Sequence, residues 1–167
     1  MDKRQDLFAA TPPIEAVKML LSMAVTEGIG YQRNKWKSGK KLDFIDVRRA
    51  YFHAKARRTV FIELPEEDQE RGMCGELDKS MYGTRDAALN WEWEYTEFMT
   101  KQGGFKKGRA SPCIFKNEEK GMCAVIHGDD FTILGSEEDL DWLKEKSIRR
   151  FEIKHRGRLG PGDSDDK

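Results

Sequence analysis

The sequence predicts an α+β domain, in which an antiparallel sheet is packed against helices on one face. Long segments carry apolar residues at helical spacing, shorter segments carry alternating apolar residues, and turn residues separate the shorter ones. Several of these strands follow one another through short turns, and this order is typical of an antiparallel sheet. The 167 residues suffice for one compact domain, and 9 Phe, 4 Tyr and 4 Trp need a buried core.

Three segments have the pattern of helices. The first covers residues 12–27, with prolines at its start and Gly28 as its stop. The second runs from about residue 85 to 102, and Trp91 and Tyr95 stand one turn apart on its apolar face, which favours core packing over base stacking. The third follows Ser136, an N-cap residue with an acid three positions on.

The strands are predicted from period-two alternation bounded by turn residues. We expect extended segments at residues 42–46, 60–64, 75–82, 113–115, 122–127, 131–134 and 151–154. The tripeptide Gly128-Asp129-Asp130 separates two apolar strands, which is typical of a hairpin.

Charge and composition divide the chain further. Residues 31–60 carry ten Lys/Arg against two Asp, whereas residues 61–100 carry eleven Asp/Glu against three Lys/Arg. The basic block indicates either a face that meets phosphates or a solvated surface with uneven charge. We expect an N-terminal region over residues 1–41 that ends in a basic loop, a core over residues 42–156, and a flexible tail rich in Gly, Pro and Asp over residues 157–167.

Several classes of protein are excluded by simple patterns. No apolar run approaches the length of a membrane span and no signal-type segment opens the chain, so we expect a soluble intracellular protein, cytoplasmic or nuclear. Cys74, Cys113 and Cys123 show no CxxC spacing, which argues against a disulfide framework or a zinc site. No phosphate-binding glycine loop with its lysine is present.

Three aspartates are the candidates for chemistry. Asp129 and Asp130 are a turn sequence first, but two adjacent carboxylates at an apolar hairpin repel each other, and a divalent cation relieves that repulsion. Asp46 ends the strand 42–46, where it is either a strand-end cap or a third acid. If the two strands are neighbours, the three acids form the kind of cluster that holds two magnesium ions roughly 3.5–4 Å apart.

Four ordered motifs resemble a known family. The residues DVRRAYF (46–52) resemble the first catalytic motif of reverse transcriptases, and LDKSMYGTRDAALNW (77–91) resembles a segment of copia-type retrotransposon polymerases. Residues 104–115 resemble the piece that follows it, and HGDD (127–130) falls where the family has its Tyr-x-Asp-Asp box. From about residue 8 to about residue 160 the sequence is therefore similar to the fingers and palm of a copia-type LTR retrotransposon reverse transcriptase.

This resemblance implies a palm-type sheet, with partial fingers over residues 1–41, and an RNA-directed DNA polymerase that acts by two-metal nucleotidyl transfer. It implies that Asp46, Asp129 and Asp130 are catalytic and bind two Mg²⁺ ions. The implied partners are an RNA or DNA template–primer and a deoxynucleoside triphosphate (dNTP). The residues implied in nucleotide or template binding are Tyr51, which screens the sugar, and Gly83, Arg85, Arg48 and Arg49.

The sequence departs from the family at three points. His127 and Gly128 replace a Tyr and a small apolar residue, and Ala88 stands where Pro is usual. The family's thumb and basic fingertip segment are missing, so we expect weak or no synthesis by this chain alone. The alternative is a catalytically silent remnant that serves as a structural or nucleic-acid-binding subunit of a larger assembly, with a protein partner on the thumb side. The position of Asp46 relative to the hairpin tip tests the polymerase interpretation.

Overall fold

A computed structural model describes residues 9–161, and within them not the side chains of residues 36 and 37. The chain forms two compact units. One comprises residues 10–48 together with residues 96–161 and is called the sheet unit here. The other, Arg49–Tyr95, lies between these segments in the sequence and is called the inserted unit.

Three helices and eight strands follow one another along the described chain. They are α1 (Ile14–Val25), β1 (Lys41–Val47), β2 (Phe61–Ile62), β3 (Gly75–Glu76), α2 (Ala87–Glu97), β4 (Lys106–Lys107), β5 (Ile114–Asn117), β6 (Met122–His127), β7 (Asp130–Gly135), α3 (Glu137–Arg150) and β8 (Ile153–Leu159). Short 3₁₀ helices lie at Arg33–Ser38, Ala50–His53 and Glu66–Asp68.

The sheet unit is built on a six-stranded sheet in the order β4-β5-β6-β7-β1-β8. Every neighbouring pair in it is antiparallel. Strand β1 lies between two strands that come much later in the sequence, pairing Lys41 with Gly135 of β7 and Leu42 with Leu159 of β8. The predicted α+β class and antiparallel sheet are confirmed.

Helices α1 and α3 lie on opposite faces of this sheet. Ala16 and Leu20 of α1 are buried in one cluster with Leu42 and Leu134, which are cross-strand partners and so share a face. On the other face, Arg158 of β8 bonds both to its cross-strand partner Asp43 and to α3. The prediction of helices on one face is therefore wrong. Apolar residues of β1 are buried on one face, and a residue of a buried ion pair lies on the other, so helices cover both faces.

The helix ends follow the chemistry of their residues. Ser136 caps α3, since its hydroxyl accepts a hydrogen bond from the Asp139 backbone N–H at 3.2 Å, and the predicted cap is confirmed. Helix α2 begins at Ala87 rather than near residue 85, and the last five residues of the predicted helix form a π-helical turn, Phe98–Gln102. Trp91 and Tyr95 are buried and their rings meet edge to face at 5.6 Å, which confirms the predicted core role.

Other predicted segments differ in extent. The strand predicted at residues 60–64 is only the two residues of β2, paired with β3 in the inserted unit. Strand β8 begins two residues later than predicted and continues to Leu159, so residues 157–159 belong to the sheet instead of to a flexible tail. The remainder of the predicted tail from residue 162 lies outside the described residues. In the part of the chain that the structure describes, no helix is both long and apolar enough to cross a membrane.

Candidate functional site

Asp46 and Asp130 are direct cross-strand partners at one end of β1 and β7. Directly opposite residues of antiparallel strands point to the same face, with Cβ atoms about 4.5–5.5 Å apart. The two carboxylates, which are 84 positions apart in the sequence, therefore lie on one face at one edge of the sheet unit. This is the placement that the polymerase interpretation requires.

Asp129 lies in the two-residue connection between β6 and β7, where His127 and Asp130 close the hairpin as cross-strand partners. Its carbonyl oxygen accepts a hydrogen bond of 2.8 Å from the backbone N–H of Val47, the residue after Asp46. Gly128 precedes it with a φ of 62°, in the left-handed region. A Cβ at Gly128 would meet no heavy atom within 4 Å, so the backbone conformation and not lack of space explains the glycine.

The other two acids affect the carboxyl of Asp130 electrostatically. Loss of solvent around the carboxyl raises the pKa of Asp130, and the charges of Asp129 and Asp46 raise it further, while Arg156 and His127 oppose the change. The ionised form of Asp130 is thus disfavoured by its two acidic neighbours. Such a cluster of mutually repelling carboxylates is stabilised by positive charge.

Arg156 of β8 supplies positive charge in this structure. Its Nη2 donates a hydrogen bond of 2.5 Å to Oδ2 of Asp46. That hydrogen bond raises the pKa of Arg156, as do the charges of Asp46, Asp130 and Asp129. Arg156 was not predicted as a site residue, because it lies after the end of the predicted strand. The only indication in the sequence was that a basic residue recurs two positions after Lys154, as it would on one face of a continuing strand.

The irregular pairing of β8 explains how Arg156 reaches the acids. The register between β1 and β8 shifts between Phe44 and Ile45: Phe44 pairs with Gly157 and Ile45 with His155, which leaves Arg156 without a cross-strand partner. An extra residue of this kind is a β-bulge, which bends the strand and redirects its side chain.

The donor chemistry of the cluster fits a hard divalent cation, because carboxylate oxygens are the ligands that Mg²⁺ prefers. Among residues 9–161, however, no group of three or more His, Cys, Asp or Glu side chains is arranged so that it could hold a metal ion. Asp46 contacts Arg156 instead. The acids are brought to one edge without forming a closed set of ligands.

Of the five residues implied in nucleotide or template binding, Arg48 is the one in the sheet unit. Its Nη1 lies 3.6 Å from Oε1 of Glu152, and its backbone N–H donates to the Glu152 carbonyl oxygen at 2.8 Å. Both contacts anchor it just beyond the end of β1 that carries Asp46.

The other four residues belong to the inserted unit. The rings of Tyr51 and Tyr82 lie 4.4 Å apart, so Tyr51 packs beside the turn that contains Gly83, whose φ is 88°. Arg85 is exposed on the next turn, which the Ala87 N–H and the Thr84 carbonyl oxygen close. Arg49 has a φ of 52°, a left-handed conformation that is uncommon for a residue other than glycine.

Comparison with known proteins agrees with this arrangement. A sequence profile described as "Reverse transcriptase (RNA-dependent DNA polymerase)" matches residues 2–160. The chain is 25% identical over 163 residues to the "Retrovirus-related Pol polyprotein from transposon TNT 1-94" of Nicotiana tabacum, covering 93% of this chain and 11% of that protein. It is 26% identical over 124 residues to the "Transposon Ty1-GR3 Gag-Pol polyprotein" of Saccharomyces cerevisiae, covering 74% of this chain and 7% of that protein.

The chain thus spans about a tenth of the length of the curated relatives that it matches. The profile match extends over nearly all of the sequence, and both relatives are polyproteins of transposons. The chain belongs to the reverse transcriptase (RNA-dependent DNA polymerase) family, in the branch found in copia/Ty1-type retrotransposon polyproteins.

Proposed function

We propose that this chain carries the catalytic acids of an RNA-directed DNA polymerase, and that Asp46, Asp129 and Asp130 hold two Mg²⁺ ions for nucleotidyl transfer. The observation that carries the proposal is the direct pairing of Asp46 with Asp130 across β1 and β7. Two acids so far apart in the sequence occupy adjacent positions on one face, next to a third acid in the hairpin turn. Core packing provides no reason to collect carboxylates there.

In this proposal the metal ions, when bound, activate a primer 3′-hydroxyl and stabilise the charge of the departing pyrophosphate. The contribution of the protein is position and charge. The paired strands hold Asp46 and Asp130 side by side, and the hydrogen bond from Val47 to Asp129 holds the turn against the end of β1. Carboxylates that are already in position need no reorganisation when charge develops in the reaction, which lowers the barrier.

The remaining binding roles follow the family resemblance. We assign Tyr51 to the sugar of the incoming dNTP, and Gly83, Arg85, Arg48 and Arg49 to the nucleotide or the template strand. Arg85 is an exposed cation and Gly83 leaves its backbone open to solvent, which suits contact with a phosphate or a base. The template–primer and the dNTP are the proposed partners.

The sharpest test of the acids is cation binding by the chain itself. Mn²⁺, which replaces Mg²⁺ and is detected by electron paramagnetic resonance, should bind saturably and be displaced by Mg²⁺. Asp46→Asn and Asp130→Asn should each weaken binding by about tenfold, because the charge of the ligands sets the affinity of such sites. The control is Glu138→Gln, an exposed acid on α3 of the same unit, which should leave binding unchanged. Equal affinity in all four proteins would refute the metal role.

Catalysis is tested separately by primer extension. With an annealed template–primer, dNTPs and Mg²⁺, the chain alone should give at most weak extension, and Asp129→Asn should abolish whatever extension is seen. If Asp129→Asn extends the primer as well as the unmodified chain does, the role of Asp129 is wrong. Cation binding without extension would point to an intact acid cluster that needs other parts of the polyprotein.

A second candidate function is favoured by the contact of Arg156 with Asp46. An internal cation that neutralises the acids permanently is what we expect of a catalytically silent remnant that persists as a structural or nucleic-acid-binding subunit. Such a protein would bind template–primer in a salt-dependent manner but would show neither cation binding nor extension. The same two measurements therefore separate the candidates.

A further inference from the structure

Arg156 approaches the acidic cluster through a specific backbone feature. It is the extra residue of the bulge between β1 and β8, lying between His155 and Gly157, which pair with Ile45 and Phe44. In regular pairing every residue of β8 would have a partner on β1. The bulge instead releases one residue and turns its side chain towards Asp46.

The two partners of the contact between Arg156 and Asp46 differ in their exposure to solvent. Oδ2 of Asp46 lies 2.5 Å from Nη2 of Arg156, and the side chain of Asp46 is 15% exposed whereas that of Arg156 is 50% exposed. Asp46 thus has little access to water, and the guanidinium provides its charge compensation. Since half of the arginine remains in solvent, its release exposes little new surface.

Arg156 also faces Asp130. The two residues line one cavity of about 400 Å³, whose wall includes Phe44 and Thr132. A hydrated cation that enters this cavity meets the carboxylate of Asp130 and the guanidinium together, and the like charges repel. The charges of all three acids raise the pKa of Arg156, which agrees with its position beside the whole cluster.

We propose that Arg156 is an internal counter-ion that competes with the divalent cation for the carboxylate of Asp46. Metal binding then requires the guanidinium to leave Asp46 for solvent, and Arg156 is a positioning residue that sets metal affinity without contacting the reacting atoms. This competition explains why the acids lie together at one edge while no closed set of ligands is formed among the described residues. This inference rests on the proposed metal role of the acids.

The test compares Mn²⁺ dissociation constants at fixed ionic strength in the whole chain and its variants. Arg156→Gln should bind Mn²⁺ about fivefold more tightly than the unmodified chain, which is the effect expected from losing one partly exposed ion pair. Arg156→Lys should stay within about twofold of the unmodified chain, because one hydrogen bond holds the arginine and an ammonium can make it. Arg149→Gln removes a charge that is 80% exposed on α3 and should change nothing.

Each outcome has a distinct meaning. Tighter binding in Arg156→Gln alone supports the inference. Equal or weaker binding in that variant overturns it while leaving the metal role of the acids intact. Absence of Mn²⁺ binding in every variant overturns both.

A second measurement needs no destabilising substitution. In the unmodified chain, Mg²⁺ should shift the nuclear magnetic resonance signal of the Arg156 side-chain Nε–Hε group in a saturable way, with the assignment made from Arg156→Lys. The corresponding signal of Arg158, which bonds to Asp43 on the other face, should not move. A stationary Arg156 signal at saturating Mg²⁺ would overturn the inference.

Discussion

Asp43 and Arg158 form a two-pronged ion pair inside the sheet unit, with Nε to Oδ1 at 2.6 Å and Nη2 to Oδ2 at 2.9 Å. They are cross-strand partners on β1 and β8, and their side chains are 1% and 11% exposed. The hydrogen bond to Asp43 raises the pKa of Arg158, so the arginine is always charged. The pair fixes the register on one side of the bulge that releases Arg156.

Asp43→Asn should destabilise the fold by about 1.5–3 kcal/mol, because the largely buried guanidinium of Arg158 loses its bonds to a carboxylate and keeps those to Asp141 of α3. Urea unfolding followed by circular dichroism measures the loss. Arg149→Gln, which removes an exposed arginine from the same unit, should change the free energy of unfolding by at most about 0.5 kcal/mol. A loss as small as that of the control would show that the pair contributes nothing net.

Asp130→Asn should stabilise the protein in the absence of divalent cations. Loss of solvent around the carboxyl and the charges of Asp129 and Asp46 raise the pKa of Asp130, so its ionised form is less favourable than that of a free aspartate and the amide removes that cost. The gain is small, since exposed charges are screened. Thermal unfolding at pH 7 in a chelating buffer measures it, and adding Mg²⁺ should raise the melting temperature of the unmodified chain more than that of the variant, which binds the cation more weakly. A lower melting temperature for the variant in chelator would contradict the prediction.

The cap of α3 should make stability depend on pH through Asp139. Burial raises the pKa of this carboxyl, but hydrogen bonds from Lys120 and Ser136 outweigh it and the net pKa is lowered from 3.8. A lowered pKa in the folded state gives stability that is present above about pH 4 and is lost as the pH falls through the folded-state value. Asp139→Asn should therefore unfold more easily at pH 7 and show a shallower loss of stability below pH 4. Parallel curves for the two proteins between about pH 6 and pH 2 would rule out this linkage.

Gly128 should tolerate asparagine better than alanine. Its φ of 62° suits glycine, and no neighbouring atom restricts a side chain there. Alanine should cost about 1–2 kcal/mol from backbone strain, whereas asparagine, which adopts this conformation more readily, should cost less. The free energies of unfolding of Gly128→Ala and Gly128→Asn provide the comparison. An equal cost for both would mean that the tip readjusts to a different turn.

The sequence allowed the acidic edge to be predicted because its signals are local and strong. Asp46 ends an apolar strand and Asp129-Asp130 interrupt an apolar hairpin, so placing the two strands side by side was enough to join the acids. The capped start of α3 and the buried face of Trp91 and Tyr95 were predictable for the same reason: spacing within one helix decides them.

The features that escaped prediction depend on contacts between distant segments. Residues 157–159 look like a tail from composition, and they form a strand because Arg158 neutralises the buried Asp43. The bulge that frees Arg156 arises from a register shift between two strands and leaves no pattern in either one. The second face of the sheet was not predicted to be covered by a helix, because it carries Asp43. The alternation of apolar and polar residues predicts that such a charged residue is exposed, but Asp43 is buried.

The central place of β1 has a consequence for how the protein acquires its structure. Both neighbours of β1 are encoded about ninety or more residues later, so during synthesis this strand leaves the ribosome long before either partner exists. The β6–β7 hairpin closes locally, and β1 can join it only afterwards, through a large loop whose ordering is slow. The acidic edge therefore cannot form before residue 130 has been synthesised, and no nascent intermediate that lacks β8 can contain the complete sheet.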